Sequence, residues 1–109
     1  MTRVRYDPDR LRMDVRGHAL QDEAGKDIVC AGISALIFAL LNAATDSPDY
    51  TTHYYVNRRE AHITIQCYVD EQHEAACREM FRTVLYGLAL IQKEHPDYLD
   101  ITGGIETDG

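Results

Sequence analysis

The sequence predicts an α+β fold: a five-stranded mixed or antiparallel sheet with two helices packed on one face, in the order ββαββαβ. Three observations carry this. Two pairs of short segments place apolar residues at every second position, two longer stretches repeat them at helical spacing, and one short apolar segment follows a proline. The 109 residues are 45% hydrophobic, with three prolines and no repeat or linker, so one domain over 1–109 with a real core is expected.

Thr2 to Tyr6 and Arg10 to Gly17 read as a hairpin around Asp7-Pro8-Asp9, with Leu11, Met13 and Val15 alternating against Arg10, Arg12, Asp14 and Arg16. His18 to Lys26 has no consistent period and reads as a loop. Asp27 then stands where an N-cap belongs, and Ile33, Leu36, Ile37, Leu40, Leu41 and Ala44 follow at helical spacing, so helix 1 is expected from about Ile28 to Ala44. Asp46-Ser47-Pro48-Asp49 breaks it. Tyr50 to Val56 and Ala61 to Val69 form a second hairpin through Asn57-Arg58-Arg59-Glu60, with Ala61, Ile63, Ile65, Cys67 and Val69 on one face. Glu71 to Glu94 carries the apolar stripe Cys77, Met80, Phe81, Val84, Leu85, Leu88 and Ile91, and Pro96 ends it. Tyr98 to Thr102 is the last strand, and the polar tail GGIETDG follows.

Eighteen acidic residues against eleven basic ones give a formal charge of -7, which repels a phosphate backbone and favours a basic protein as partner. Five arginines in the first sixteen residues raise a local RNA patch, but alternating arginines on a hairpin more often form a solvated, aggregation-resistant face, so nucleic acid is not expected. The apolar stretch Ile28 to Ala44 is interrupted by Gly32, Ser34 and Asn42 and is short for a bilayer span. The N-terminus has no apolar signal region, and a cytoplasmic protein without membrane contact is expected. Three cysteines without CxxC spacing argue against a disulfide framework, and no paired His or Cys spacing offers a metal site, so neither metal nor cofactor is expected.

The sharpest local feature is Asp27-Ile28-Val29-Cys30. With Asp27 as cap, Cys30 falls at the third helical position, where unpaired N–H groups and the helix dipole favour a thiolate nucleophile. The plainer alternative is that Cys30 belongs to the stripe of Ile33 and Ile37 as a small core residue. Gly17-His18-Ala19 ends the second strand. If the loop closes back, the His18 imidazole and the Cys30 thiol share a cleft, a proton acceptor beside a nucleophile. Strict alternation would turn His18 to the Arg16 side, and Gly17 is the residue able to re-aim it. Asp27 either caps the helix or orients His18, and Ser34, one turn beyond Cys30, either bonds near the site or allows close packing. Cys67 and Cys77 sit on apolar faces as structural thiols, His62 sits on a polar strand face, and Tyr50, Tyr54, Tyr55 and Tyr68 either line a peptide groove or simply suit strands.

GHA at 17–19 and DIVCAGISA at 27–35, followed by a hairpin and a helix, resemble the bacterial ribosomal-processing cysteine protease (Prp) family over nearly the whole chain. The resemblance implies a cytoplasmic homodimeric cysteine endopeptidase without cofactor. Its substrate would be the precursor of a large-subunit ribosomal protein of the L twenty-seven type, which loses an N-terminal extension before ribosome assembly. It implies Cys30 and His18 as the catalytic pair and Asp27 and Ser34 as accompanying polar positions. The family's substrate-gating segment would be Ala19, Leu20, Gln21, Asp22, Glu23, Ala24, Gly25 and Lys26. The alternatives are a non-catalytic ribosome-associated adaptor on the same fold and a thiol redox sensor.

Overall fold

Alternation decides the first two strands. Thr2, Val4 and Tyr6 are buried and Arg3 and Arg5 exposed along β1 (Thr2–Asp7), while β2 (Arg12–Arg16) buries Met13 and Val15. A computed structural model of the chain describes residues 1–17 and 26–103. In it β2 begins at Arg12 instead of Arg10. Asp7 Oδ1 accepts the N–H groups of Asp9 (3.0 Å) and Arg10 (3.3 Å), and Leu11 turns into the left-handed region at φ 52°, so the turn consumes two more residues. The second hairpin, β3 (Tyr50–Asn57) and β4 (His62–Val69), repeats the device: Asn57 Oδ1 accepts the Glu60 N–H at 3.0 Å and Ala61 sits at φ 52°, which moves the strand start from Ala61 to His62.

Helix α1 spans Lys26–Asp46. It starts two residues before the expected Ile28, so Asp27 is the second helical residue and not the N-cap, and Lys26 belongs to the helix and not to the preceding loop. Lysine favours helix and an acid is stabilised in a first turn, so both residues suit helical positions. At the other end it continues to Asp46, and Ser47, which precedes Pro48, lies outside it. A 3-10 turn, Glu71–His73, precedes helix α2 (Glu74–Glu94), and β5 (Leu99–Thr102) completes the chain.

The sheet order is β3-β4-β2-β1-β5, with every pair antiparallel except β1 with β5. Both helices cover one face, as the apolar patterns require. Val4, Met13, Ile65 and Cys67 of the sheet meet Ile37 and Leu40 of α1 and Phe81, Leu85 and Leu88 of α2 in one core. Tyr6 stacks on Phe81 at 5.0 Å, and burial pushes its hydroxyl up to about 12, so it stays protonated. The helices approach closely because a Cβ on Gly87 would lie 2.9 Å from Leu36 Cδ2.

The opposite face is polar and ordered around Asp14. Its carboxylate accepts Arg16 Nε at 2.9 Å and Thr64 Oγ1 at 3.0 Å, and lies 2.9 Å from His62 Nε2. His62 is therefore held in a network and is not simply solvated. Burial alone would raise the Asp14 carboxyl, but the hydrogen bonds from His62, Arg16 and Thr64 outweigh it and hold the group below its usual 3.8.

A depressed folded-state value means that Asp14 contributes stability above pH 3.8 and loses it as pH falls through the folded value. Asp14→Asn is expected to lower stability at pH 7 by up to about 1 kcal/mol, as partly exposed networks do, with the difference from wild type vanishing in strong acid; urea unfolding across pH measures this. Gly17 stands at φ 92°, and a Cβ there would lie 2.5 Å from the Met1 carbonyl oxygen. Gly17→Ala is expected to cost at least about 1–2 kcal/mol in the same assay, because an L side chain is strained there before the clash is counted.

Candidate active site

Cys30 sits one turn inside α1, as its fifth residue. It is half-buried and lines a cavity of about 220 Å³ between the N-terminal half of α1 and the adjoining ends of β2 and β4. Val15, Ile33, Ile37, Phe38 and Ile63 make the apolar wall; Thr2, Ser34, Asn57 and Arg58 supply the polar rim. An apolar pocket with a few converging polar groups suits one bulky apolar side chain of a ligand. The two views of Cys30 are thus compatible: it shares the Ile33 and Ile37 stripe and also opens into the cavity.

Gly17 lines the same cavity. Three contacts fix it. Its N–H donates to the Ala61 carbonyl at 2.8 Å, its carbonyl accepts the hydroxyl of buried Thr2 at 3.0 Å, and the absent Cβ leaves room for Met1. The positive φ breaks the strand at Gly17, as expected of the residue that must re-aim the chain. The next residue, His18, lies outside the described residues, as do Ala19, Leu20, Gln21, Asp22, Glu23, Ala24 and Gly25 of the expected gating segment. Ser34 is brought into the cavity one turn beyond Cys30. Asp27 is in the first turn.

The helix start corrects one further expectation. With Lys26 as first helical residue, the Cys30 N–H is placed for the ordinary bond to the Lys26 carbonyl and is not one of the free amides of the helix end.

The β3–β4 turn is the part that sequence reasoning missed. It reads only as a turn, yet it brings Asn57 and Arg58 to the cavity, with the Arg58 guanidinium 5.0 Å above the Phe38 ring. Thr2 is a second residue the sequence reading did not single out; its bond to Gly17 depends on the β1–β2 register. Cys67 and Cys77 are 2% and 0% exposed in the core, as expected of structural thiols. The hydrogen bond with Cys67 and burial push the Cys77 thiol well above the usual range. Tyr54, Tyr55 and Tyr68 are exposed, and Tyr50 packs against the core. Among the described residues no group of three or more His, Cys, Asp or Glu side chains is arranged to hold a metal ion.

Comparison with known proteins agrees with this geometry. The family model described as cysteine protease Prp matches residues 1–100. The ribosomal processing cysteine protease Prp of Bacillus subtilis is 24% identical over 109 residues, covering 92% of this chain and 91% of the relative. Its Staphylococcus aureus counterpart is 36% identical over 83 residues, covering 72% and 73%. The crystal structure of the Staphylococcus aureus protease in complex with a substrate peptide superposes with a TM-score of 0.76 at 23% identity, covering 94% of this chain and 98% of that one. The same protease with a covalently linked product peptide gives 0.74 at 23% identity, covering 93% and 95%. The shared fold is the five-stranded mixed sheet with two helices, and with a family match over nearly the whole chain this protein is a cysteine peptidase that belongs to the Prp family of ribosomal-processing cysteine proteases.

Proposed function

We propose that this protein is a cysteine endopeptidase with a Cys30–His18 pair, and that it removes the N-terminal extension of a large-subunit ribosomal protein of the L twenty-seven type before ribosome assembly in the cytoplasm. The observation that carries it is the shared cavity of Cys30 and Gly17. Gly17, the residue before position 18, is clamped at the wall of the pocket that holds the thiol. The relatives' names supply the ribosomal processing. The net charge of -7 draws a basic ribosomal protein toward the enzyme.

The chemistry follows from two groups. His18 takes the Cys30 proton, and the sulfur attacks the scissile carbonyl carbon to give a tetrahedral oxyanion. The first-turn N–H groups of α1 are the nearest helix-end donors for that oxygen. The C–N bond breaks as His18 returns the proton to the leaving amine, leaving a thioester. Water gives a proton to His18 as its oxygen attacks the thioester; collapse frees the acid product, and the thiolate recovers that proton. Asp27, in the first turn, favours the imidazolium formed on the way, and Ser34 offers a hydroxyl at the cavity wall. The segment 19–25 gates access to the cavity.

The working unit is a homodimer. From Ile28 to Thr45 α1 carries no charged residue, yet Ile28 is 77% exposed and Ala31, Ala35 and Ala39 are exposed beside it. Positions 28, 31, 35 and 39 form one small, apolar stripe at the spacing that two packed helices use, so a second copy is its natural cover.

A purified enzyme is expected to cleave a peptide spanning the extension junction of its host's precursor, with Cys30→Ala abolishing cleavage and His18→Ala lowering kcat about 10²–10⁴-fold. Cleavage that survives Cys30→Ala overturns the nucleophile. Asp27→Asn keeps the residue's size but removes its charge; a lower kcat is expected with a loss of stability no larger than the roughly 0.3–1 kcal/mol of a first-turn charge, measured by steady-state kinetics beside a melt. Ala35→Arg is expected to turn the dimer into a monomer in sedimentation equilibrium, with the melt as control for folding.

A further inference from the structure

We propose that the outer edge of β3 is the docking strand for the substrate: an extended stretch of the precursor pairs with it as a sixth strand and runs on into the Cys30 cavity. This rests on the peptidase function proposed above and adds where and how the peptide backbone is held.

The register gives the edge its chemistry. Cys67 donates its N–H to Leu11, and the Ala61 carbonyl accepts from Gly17, so odd-numbered residues of β4 face β2. The even-numbered ones therefore face β3, where Gln66 opposes His53, Thr64 opposes Tyr55 and His62 opposes Asn57. That leaves Thr52, Tyr54 and Val56 with their N–H and C=O groups directed outward, and β3 ends the sheet order among the described residues. Natural edges of this length are blunted by proline, lysine or a bulge. The strand Tyr50–Asn57, YTTHYYVN, pairs residue for residue with β4 and contains none of these.

The edge also leads to the site. Asn57, the last residue of β3, lines the cavity that holds Cys30, and Arg58 stacks on Phe38 beside it. Phe38 lies eight positions after Cys30, about 12 Å along α1. An extended peptide covers that in about four residues, so those opposite Val56 and Tyr54 lie about five to seven residues from the cleaved bond. Tyr54, 59% exposed, stands at the middle of the edge and gives the strand an aromatic surface to lie along. An extended peptide is the occupant that three outward N–H and C=O pairs, spaced by two residues and continuous with a cavity holding a thiol, complement best.

The test compares two variants and one series of substrates. Tyr54→Pro removes the outward N–H without touching the β3–β4 ladder, and Tyr54→Ala keeps it. The proline variant is expected to raise KM about three- to tenfold over the alanine variant, the worth of one or two backbone hydrogen bonds, with kcat unchanged. With the unaltered enzyme, junction peptides N-methylated at one residue at a time are expected to weaken at alternate positions, about five to seven residues from the cleaved bond. Equal KM for the two variants, or a methylation series without alternation, overturns the proposal while leaving peptide hydrolysis intact. If no peptide is hydrolysed, the function proposed above fails, and anisotropy of the same labelled peptides then reads the alternation in binding, whose absence overturns the edge as well. Conversion of a dimer to a monomer by Tyr54→Pro assigns the edge to a second copy and overturns the proposal.

Discussion

The hydrogen-bonded clamp at Gly17 is the constraint on which the site depends. A buried hydroxyl must find a partner, and that of Thr2 finds the Gly17 carbonyl, while the Gly17 N–H is taken by Ala61. Both bonds join neighbouring strands at one corner of the sheet, and the third contact, with Met1, leaves no room for a side chain. The end of β2 is thereby held against β1 and β4 together. Because Gly17 also lines the cavity of Cys30, the same clamp sets where the chain departs relative to the thiol.

Helix α1 answers to two demands. Its inner face, Val29, Ile33, Ile37, Leu40 and Ala44, belongs to the core, and its first turns carry the thiol and one cavity wall. Its segment Ile28–Asp46 has a mean hydropathy of 2.1, long and apolar enough by composition to cross a bilayer, and one-third of that stretch is buried within the fold. The surplus lies on the outer stripe, the surface that the homodimer proposed above would remove from water. The glycines at 32 and 87 let α2 lie close enough to hold α1 against the sheet.

Charge is distributed with a consequence for access. The uncovered sheet face sets Arg5 across from Asp14 and Arg12 across from Asp7, and its hydrogen-bonded network centres on Asp14 with Arg16, His62 and Thr64. The β3 edge differs in kind, since it presents backbone groups and tyrosines instead of paired charges. The net charge of -7 favours a basic partner, whereas the β3 edge itself is uncharged.

Sequence alone determined the layers. Period-two alternation in Val4–Tyr6, Met13–Val15 and Ile63–Cys67, and helical spacing in the two long stretches, decide which faces are buried, because burial of apolar side chains is a local consequence of their spacing. The motif around Gly17 and around Cys30 was legible too, as was the glycine's conformational role. Tertiary structure decided what spacing cannot encode. Strand register placed Thr2 on Gly17 and Asp14 on His62, and the left-handed residues Leu11 and Ala61 lengthened both turns beyond their sequence cues. The first helical residue moved to Lys26, which took the amide of Cys30 out of the free set. Packing of the β3–β4 turn against Phe38 then closed the cavity. The turn lengths and the helix start are local, but the bonds at Gly17 and Asp14 and the packing on Phe38 join segments distant in the chain, and only the folded register brings such segments within reach.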